Sequence, residues 1–203
     1  GTWRPDGTQV HLLSAISHDA GVVLAQREIA AKTNEIPDLA PLLAELDLAG
    51  VVVTADALHT HRATAEHLVS DCGANYVLTV TGSQATLFTA HQRALFEPAS
   101  AFAPEHIGTD RGYRRTEQRT TRTAPVTAKC GINFQHAAQV FRVRRDVGEL
   151  DGQRTRKEIA CCMTSLDTEQ ANAEQPAAYI RGHWLIRNRL RWVRYVTYDD
   201  DRS

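Results

Sequence analysis

Asp56 closes the apolar run V51-V-V-T-A-D56, and a polar turn, A57-L-H-T60, follows it. A short hydrophobic strand that delivers an acid to its C-terminal end is how α/β folds present catalytic or metal-binding groups. Where neighbouring strands also end in carboxylates, paired acids hold two divalent ions and activate water or a 3′ hydroxyl for in-line attack on phosphorus. A solitary Asp in the same place caps the turn behind it. Position alone leaves both readings open. His59 and His61, two apart beside Asp56, have a spacing that ligates metals in loops. With no Cys or further His cluster to complete a tetrahedral set, they read instead as polar residues at a helix start. T81-G-S-Q84 is too short to cradle a phosphate as a glycine loop.

A second chemistry is written near the C-terminus, in R181-G-H-W-L-I-R-N-R-L-R-W-V-R194. Arginine binds phosphate through a planar fork of donors, and tryptophan stacks on bases. A core-facing helix with a solvated cationic face accounts for part of this pattern, while a nucleic-acid partner accounts for Arg and Trp together. Charge is divided along the chain in the same sense. Residues 1–110 carry 5 Lys or Arg against 13 Asp or Glu, residues 111–157 carry 12 against 4, and residues 181–203 carry 6 against 3. An acidic first half followed by basic stretches fits a body that folds quietly or binds metal and a surface that meets a polyanion.

The chain has 203 residues, a hydrophobic content of 42% and a formal net charge of -1. That is enough for one ordinary soluble core with a small appended layer. No run approaches 18 apolar residues, so no membrane span is predicted. The start, G1-T-W-R-P-D-G7, has neither the basic nor the apolar region of a secretory signal. Cys72, Cys130, Cys161 and Cys162 form no C-x-x-C pair and read as reduced, incidental thiols in a cytoplasmic protein.

The elements that must position these groups follow from periodicity. V10–S17 and V22–I29 flank H18-D-A-G21 as an antiparallel hairpin. Leu39, Leu42, Leu43 and Leu46 make one helical stripe, with Asn34 as N-cap and Pro37 in the first turn. Thr60 is the expected cap of a helix over 61–72, ended by Gly73. Strands 51–55 and 76–80, joined through that helix, should be parallel neighbours with a right-handed crossover. A further helix runs from about Gln84 to Leu95, and residues 97–112 read as a linker or long loop. Three β-like runs follow at 115–123, 138–144 and 159–165, of which Q139-V-F-R-V-R-R145 alternates apolar and basic residues. The last helix is predicted to start near Ala177–Tyr179 after a polar connection. This is an α/β chain.

R4-P-D-G-T-Q-V-H-L-L13, K32-T-N-E-I-P37, V52-V-T-A-D-A-L-H-T60, Y76-V-L-T-V80 and R181-G-H-W-L-I186, followed by N188-R-L, W192-V-R and D201-R-S203, together resemble the ISAs1 group of insertion-sequence transposases. That group belongs to the class with an RNase H-like catalytic domain and an Asp-Asp-Glu triad. The resemblance covers nearly the whole chain in order. It implies a mixed β-sheet with flanking helices and a β-rich insertion before the last helix. The implied division is core over 1–96, linker and insertion over 97–176, and the core's terminal helix over 177–203.

The implied activity is Mg²⁺-dependent cleavage and strand transfer on transposon-end double-stranded DNA. Asp56 matches the second catalytic acid and is the implied metal ligand. The first acid sits in an Asp-Gly-Lys motif that would lie just before residue 1, and the catalytic Glu position is Arg187. Arg115, Arg181, His183, Trp184, Asn188, Arg191, Trp192 and Arg194 are the implied DNA-binding residues. The family's Lys-Gly-Asn-Gln-Pro reads T81-G-S-Q-A85, and its Gly-His-Gly-Arg-x-Glu turn reads G112-Y-R-R-T-E117. With one acid of three, cleavage should be lost, unless Glu117 or Asp110 substitutes. A missing first strand would also expose a sheet edge, a route to a homo-oligomer.

Overall fold

A computed structural model describes residues 2–3, 6, 9–29, 36–96, 106–112, 115–149 and 154–197, with side chains of the last helix described to residue 186. The chain divides into two compact units, Gly1–Ala49 with Arg181–Ser203, and Gly50–Ile180.

In the first unit, β1 (Thr2–Trp3), β2 (Gln9–Ile16) and β3 (Val23–Ile29) form an antiparallel sheet in that order. The hairpin register runs from His11↔Ile29 to Ala15↔Ala25. Its turn closes through the Ser17 carbonyl, which accepts from Gly21 N at 2.9 Å, with Gly21 at a φ of 65°. Helix α1 (Ile36–Leu43) buries Leu42 and Leu43 and carries Pro37 in its first turn. Asn34, its expected cap, lies outside the described residues.

The second unit is built on six strands in the order β4-β5-β9-β8-β7-β6. β4 (Val52–Ala55) and β5 (Asn75–Val80) are the predicted parallel pair, in register from Val52↔Asn75 to Ala55↔Leu78. β6 (His106–Gly112), β7 (Arg115–Pro125), β8 (Gln139–Glu149) and β9 (Arg154–Thr164) are antiparallel, and β9 pairs with β5. The core holds Tyr76, Val77, Leu78, Val140, Phe141, Val143 and Met163. Alternation in β8 appears as predicted, with Val143 buried between half-exposed Arg142 and Arg144. Helix α3 (Ala85–Phe96) lays His91 into that core, where Nε2 donates to the main-chain oxygens of Phe141 (3.1 Å) and Cys162 (3.0 Å). Burial holds the His91 imidazole below its usual range, an effect the two carbonyls oppose.

Four predictions need correction. Residues 106–112 form a strand rather than a loop; residues 97–105 lie outside the described residues. β6 is an edge strand with Ile107 56% exposed, so no buried face imposes a period on its sequence. The helix predicted over 61–72 is α2 (Arg62–Glu66) followed by one π-helical turn, His67–Asp71, and it is Gly73, at a φ of 62°, that ends it. Thr60 does not cap it. His61 occupies the cap position without a side-chain bond, and the Thr60 hydroxyl donates to the Thr79 carbonyl of β5 at 2.6 Å. Helix α4 (Glu174–Thr197) begins earlier than predicted, because Asn172 and Gln175 cap it reciprocally: Asn172 Oδ1 accepts from Glu174 N at 2.8 Å and Gln175 Oε1 from Asn172 N at 2.9 Å.

Candidate active site

Parallel pairing of β4 with β5 sets their C-terminal ends side by side, and Asp56 stands one residue past the end of β4. Its backbone is extended, with φ -78° and ψ 178°, and Oδ1 accepts from Leu58 N at 3.0 Å. The carboxylate therefore caps the 3₁₀ turn Ala57–His59. The turn is tied to β5 by Thr60, whose carbonyl also accepts from Gln84 Nε2 at 2.5 Å, and by the Thr79 hydroxyl, which donates to Ala55 O at 3.3 Å. Thr81 and Ser83 share a hydrogen bond of 2.8 Å in the turn after β5. The bond described for the Asp56 side chain is to the Leu58 amide, and the nearby hydroxyls bond to main-chain carbonyls or to each other.

This donor set does not fit a pair of Mg²⁺ ions. Two dications need several carboxylate oxygens, since hydroxyl and amide groups supply no charge to offset them. Among the described residues, no group of three or more His, Cys, Asp or Glu could hold a metal ion. His59 is 6% exposed in the turn, whereas His61 is exposed at the start of α2.

Glu117 and Asp110 are engaged elsewhere. Cross-strand register puts both on one sheet face with Arg119, Arg145, Arg156 and Glu158. There they form a continuous ladder: Asp110 to Arg119 at 2.6 Å, Arg119 to Glu117, Glu117 to Arg145 at 2.7 Å, Arg145 to Glu158 at 2.8 Å and Glu158 to Arg156 at 2.5 Å. Counting strand spacings and residues along the register puts Glu117 roughly 25–30 Å from Asp56. The same register shows β7, β8 and β9 running on past the strand ends where Asp56 lies.

Arg115 is the exposed first residue of β7, opposite Glu149. Arg181 is exposed on α4, and His183 and Trp184 are half-buried there. Arg187, Asn188, Arg191, Trp192 and Arg194 continue the α4 backbone, and their side chains lie outside the described residues. Within the first unit, α4 approaches the β2–β3 turn at Gly182, where a Cβ would overlap the His18 ring. That contact explains the glycine of the G-H-W element. Burial lowers the His18 imidazole from its usual value, against a smaller opposing effect of Asp19. Thr60, Thr79 and Gln84, which brace the Asp56 turn, escape sequence reasoning because their bonds run to main-chain carbonyls of distant residues.

Residues 5–203 match the model of the transposase DDE domain. The chain belongs to that family. It is 30% identical over 206 residues to YncI of Escherichia coli O157:H7, a transposase by name, covering 96% of this chain and 50% of that one. YhhI of Escherichia coli K12, named as an H repeat-associated transposase, is 25% identical over 198 residues, covering 95% and 52%. The chain spans about half the length of these curated relatives. Among solved structures, a piggyBac transposase synaptic complex with hairpin DNA aligns with 95% of this chain and 35% of its own, at 11% identity and a TM-score of 0.48. No described helix is long and apolar enough to cross a membrane.

Proposed function

We propose that this chain is a catalytically inactive derivative of an ISAs1-type transposase with an RNase H-like core, retaining duplex DNA as its partner. Membership of the DDE family supports the class. The observation that carries inactivity is the setting of Asp56, a carboxylate with one oxygen accepting from Leu58 N and, among the described residues, no group of acids beside it that could hold a metal ion. By the resemblance, Arg187 occupies the place of the catalytic Glu. A guanidinium has donors and no lone pair for a metal. Near a dication in a poorly solvated site it adds repulsion on the order of several kcal/mol. Residues 1–96 and 177–203 are assigned to the core and 97–176 to the insertion.

The deciding experiment incubates the protein with terminal-repeat DNA and Mg²⁺ or Mn²⁺ and looks for cleavage and strand transfer. No product is expected. Metal-dependent cleavage abolished by Asp56→Ala overturns the reading. DNA binding is expected to weaken by orders of magnitude between 50 and 200 mM salt if several arginines meet phosphates. A second reading, an oligomerising fragment that inhibits a full-length relative, is favoured by one observation. Among the described residues β4 is an edge strand, beginning next to Val51, which is 43% exposed. Weak, salt-insensitive DNA binding together with a stable oligomer in sedimentation would select it.

A further inference from the structure

The π-helical turn after α2 brings together side chains that an ordinary helix separates. Cys72 N donates to His67 O at 3.1 Å, a bond spanning five residues. In an α-helix, positions five apart point well away from one another; the wider turn stacks them. Cys72 Sγ consequently lies 3.5 Å from His67 Nε2, and His67 Nδ1 lies 2.8 Å from Asp71 Oδ2. With Asp71 accepting from Nδ1–H, Nε2 is left as the acceptor that faces the thiol. Nucleophile, base and orienting acid thus occur in the order that activates a weak nucleophile.

Cys72 is half-buried, while Cys130, Cys161 and Cys162 are 5%, 5% and 0% exposed. His67 and Asp71 reach solvent at 27% and 66% of their side-chain surface. An adjoining column on the same segment joins Glu66 to Ser70 at 2.8 Å and to His136 at 3.1 Å, with Ser70 3.3 Å from His136. Glu66 and His136 are titratable groups of this column, and their hydrogen bonds run within it. His136 enters from the loop before β8 at a φ of 57°.

We propose that Cys72, His67 and Asp71 form a nucleophilic-thiol site that makes Cys72 the chain's preferred point of covalent modification by small electrophiles, hydrogen peroxide in particular. The thiol proton passes to His67 Nε2 as Sγ attacks a peroxide oxygen. The O–O bond breaks, the departing oxygen takes the proton from the imidazolium and leaves as water, and sulfur is oxidised to a sulfenic acid while the peroxide is reduced. Partial burial, then the Asp71 charge, push the Cys72 thiol above its usual range. The Cys72 thiol therefore keeps its proton at rest, and His67 acts as a base during attack rather than by holding a preformed thiolate.

The test uses the full chain and two probes, iodoacetamide and hydrogen peroxide, with peptide mass mapping of all four cysteines and dimedone to trap the sulfenic acid. At pH 7, Cys72 should react first, and about tenfold faster in the native protein than in the urea-unfolded chain. A merely accessible cysteine reacts no faster folded than unfolded. His67→Gln should remove that advantage at pH 7, and the two proteins should converge above about pH 10, where thiols ionise unaided. Ser70→Ala, in the adjoining column, should leave the rate unchanged. A native rate at or below the unfolded one, or modification of a buried cysteine first, overturns the proposal. So does a folded His67→Gln protein that reacts as fast as the unmutated chain. The native-to-unfolded comparison decides the matter even if that variant fails to fold.

Discussion

Asp56 offers a clean separation of two roles, because a cap and a metal ligand respond differently to loss of charge. Its Oδ1 accepts from Leu58 N at 3.0 Å, so Asp56→Ala removes a cap and should cost about 1 kcal/mol. Asp56→Asn keeps a side-chain oxygen in place and caps nearly as well, so its cost should stay within about 0.3 kcal/mol. A metal site predicts instead that both substitutions abolish metal-dependent stabilisation alike, since neither a methyl nor a neutral amide can replace a carboxylate beside a dication. Metal bound to the folded state alone would also stabilise the protein by about 2.7 kcal/mol at a free concentration one hundred times Kd. Urea unfolding of the unmutated chain and both variants, with and without 10 mM (on the order of a hundred times a 0.1 mM Kd) MgCl₂ or MnCl₂, measures each term. The geometry predicts Asp56→Ala below Asp56→Asn in stability and no metal-dependent shift in any of the three. A stabilisation by Mn²⁺ that both substitutions abolish equally would refute the reasoning.

Three further outcomes follow from the packing. Arg145 bridges Glu117 and Glu158 with all three side chains 30% exposed or less, so Arg145→Ala takes from each carboxylate one of its two arginine partners and should cost about 1–2 kcal/mol by urea unfolding, between exposed and fully buried ion-pair values. Gly182→Ala drives a methyl into His18 and should destabilise by about 1–3 kcal/mol. In a His18→Ala background the same change should instead be neutral or stabilising by up to about 1 kcal/mol, as alanine is the better helix former. His91 is held below its usual imidazole value of 6.5, so the unfolded chain binds a proton that the folded one refuses. Stability should therefore fall as pH drops below 6.5, by up to about 1.4 kcal/mol per unit, and His91→Gln should lack that component in thermal melts taken from pH 7 to 5.

What the sequence reveals here depends on whether an element buries a face. The hairpin of β2 and β3, the parallel pair β4 and β5, and α3 each pack against another element, so their apolar residues recur at the period of the backbone. β6 buries no residue fully, and H106-I-G-T-D-R-G112 carries no apolar period to read; β7 and the Arg119–Asp110 pair hold it instead. The start of α4 was written in local chemistry rather than in periodicity, as the spacing N172-A-E-Q175, which a stripe of apolar residues passes over. The candidate site divides along the same line. An acid at the end of an apolar strand is legible from the residues of that strand alone. Whether it is a ligand or a cap depends on Leu58 N and on the absence of acids at neighbouring strand ends among the described residues, and that is a matter of pairing across the sheet. The Cys72–His67–Asp71 group was illegible for a sharper reason. A spacing of five belongs to neither helix nor strand, and only a local departure from 3.6 residues per turn makes those two side chains neighbours. Irregular backbone joins residues that regular periodicity keeps apart, so chemistry placed on such a turn leaves no pattern in the sequence that encodes it.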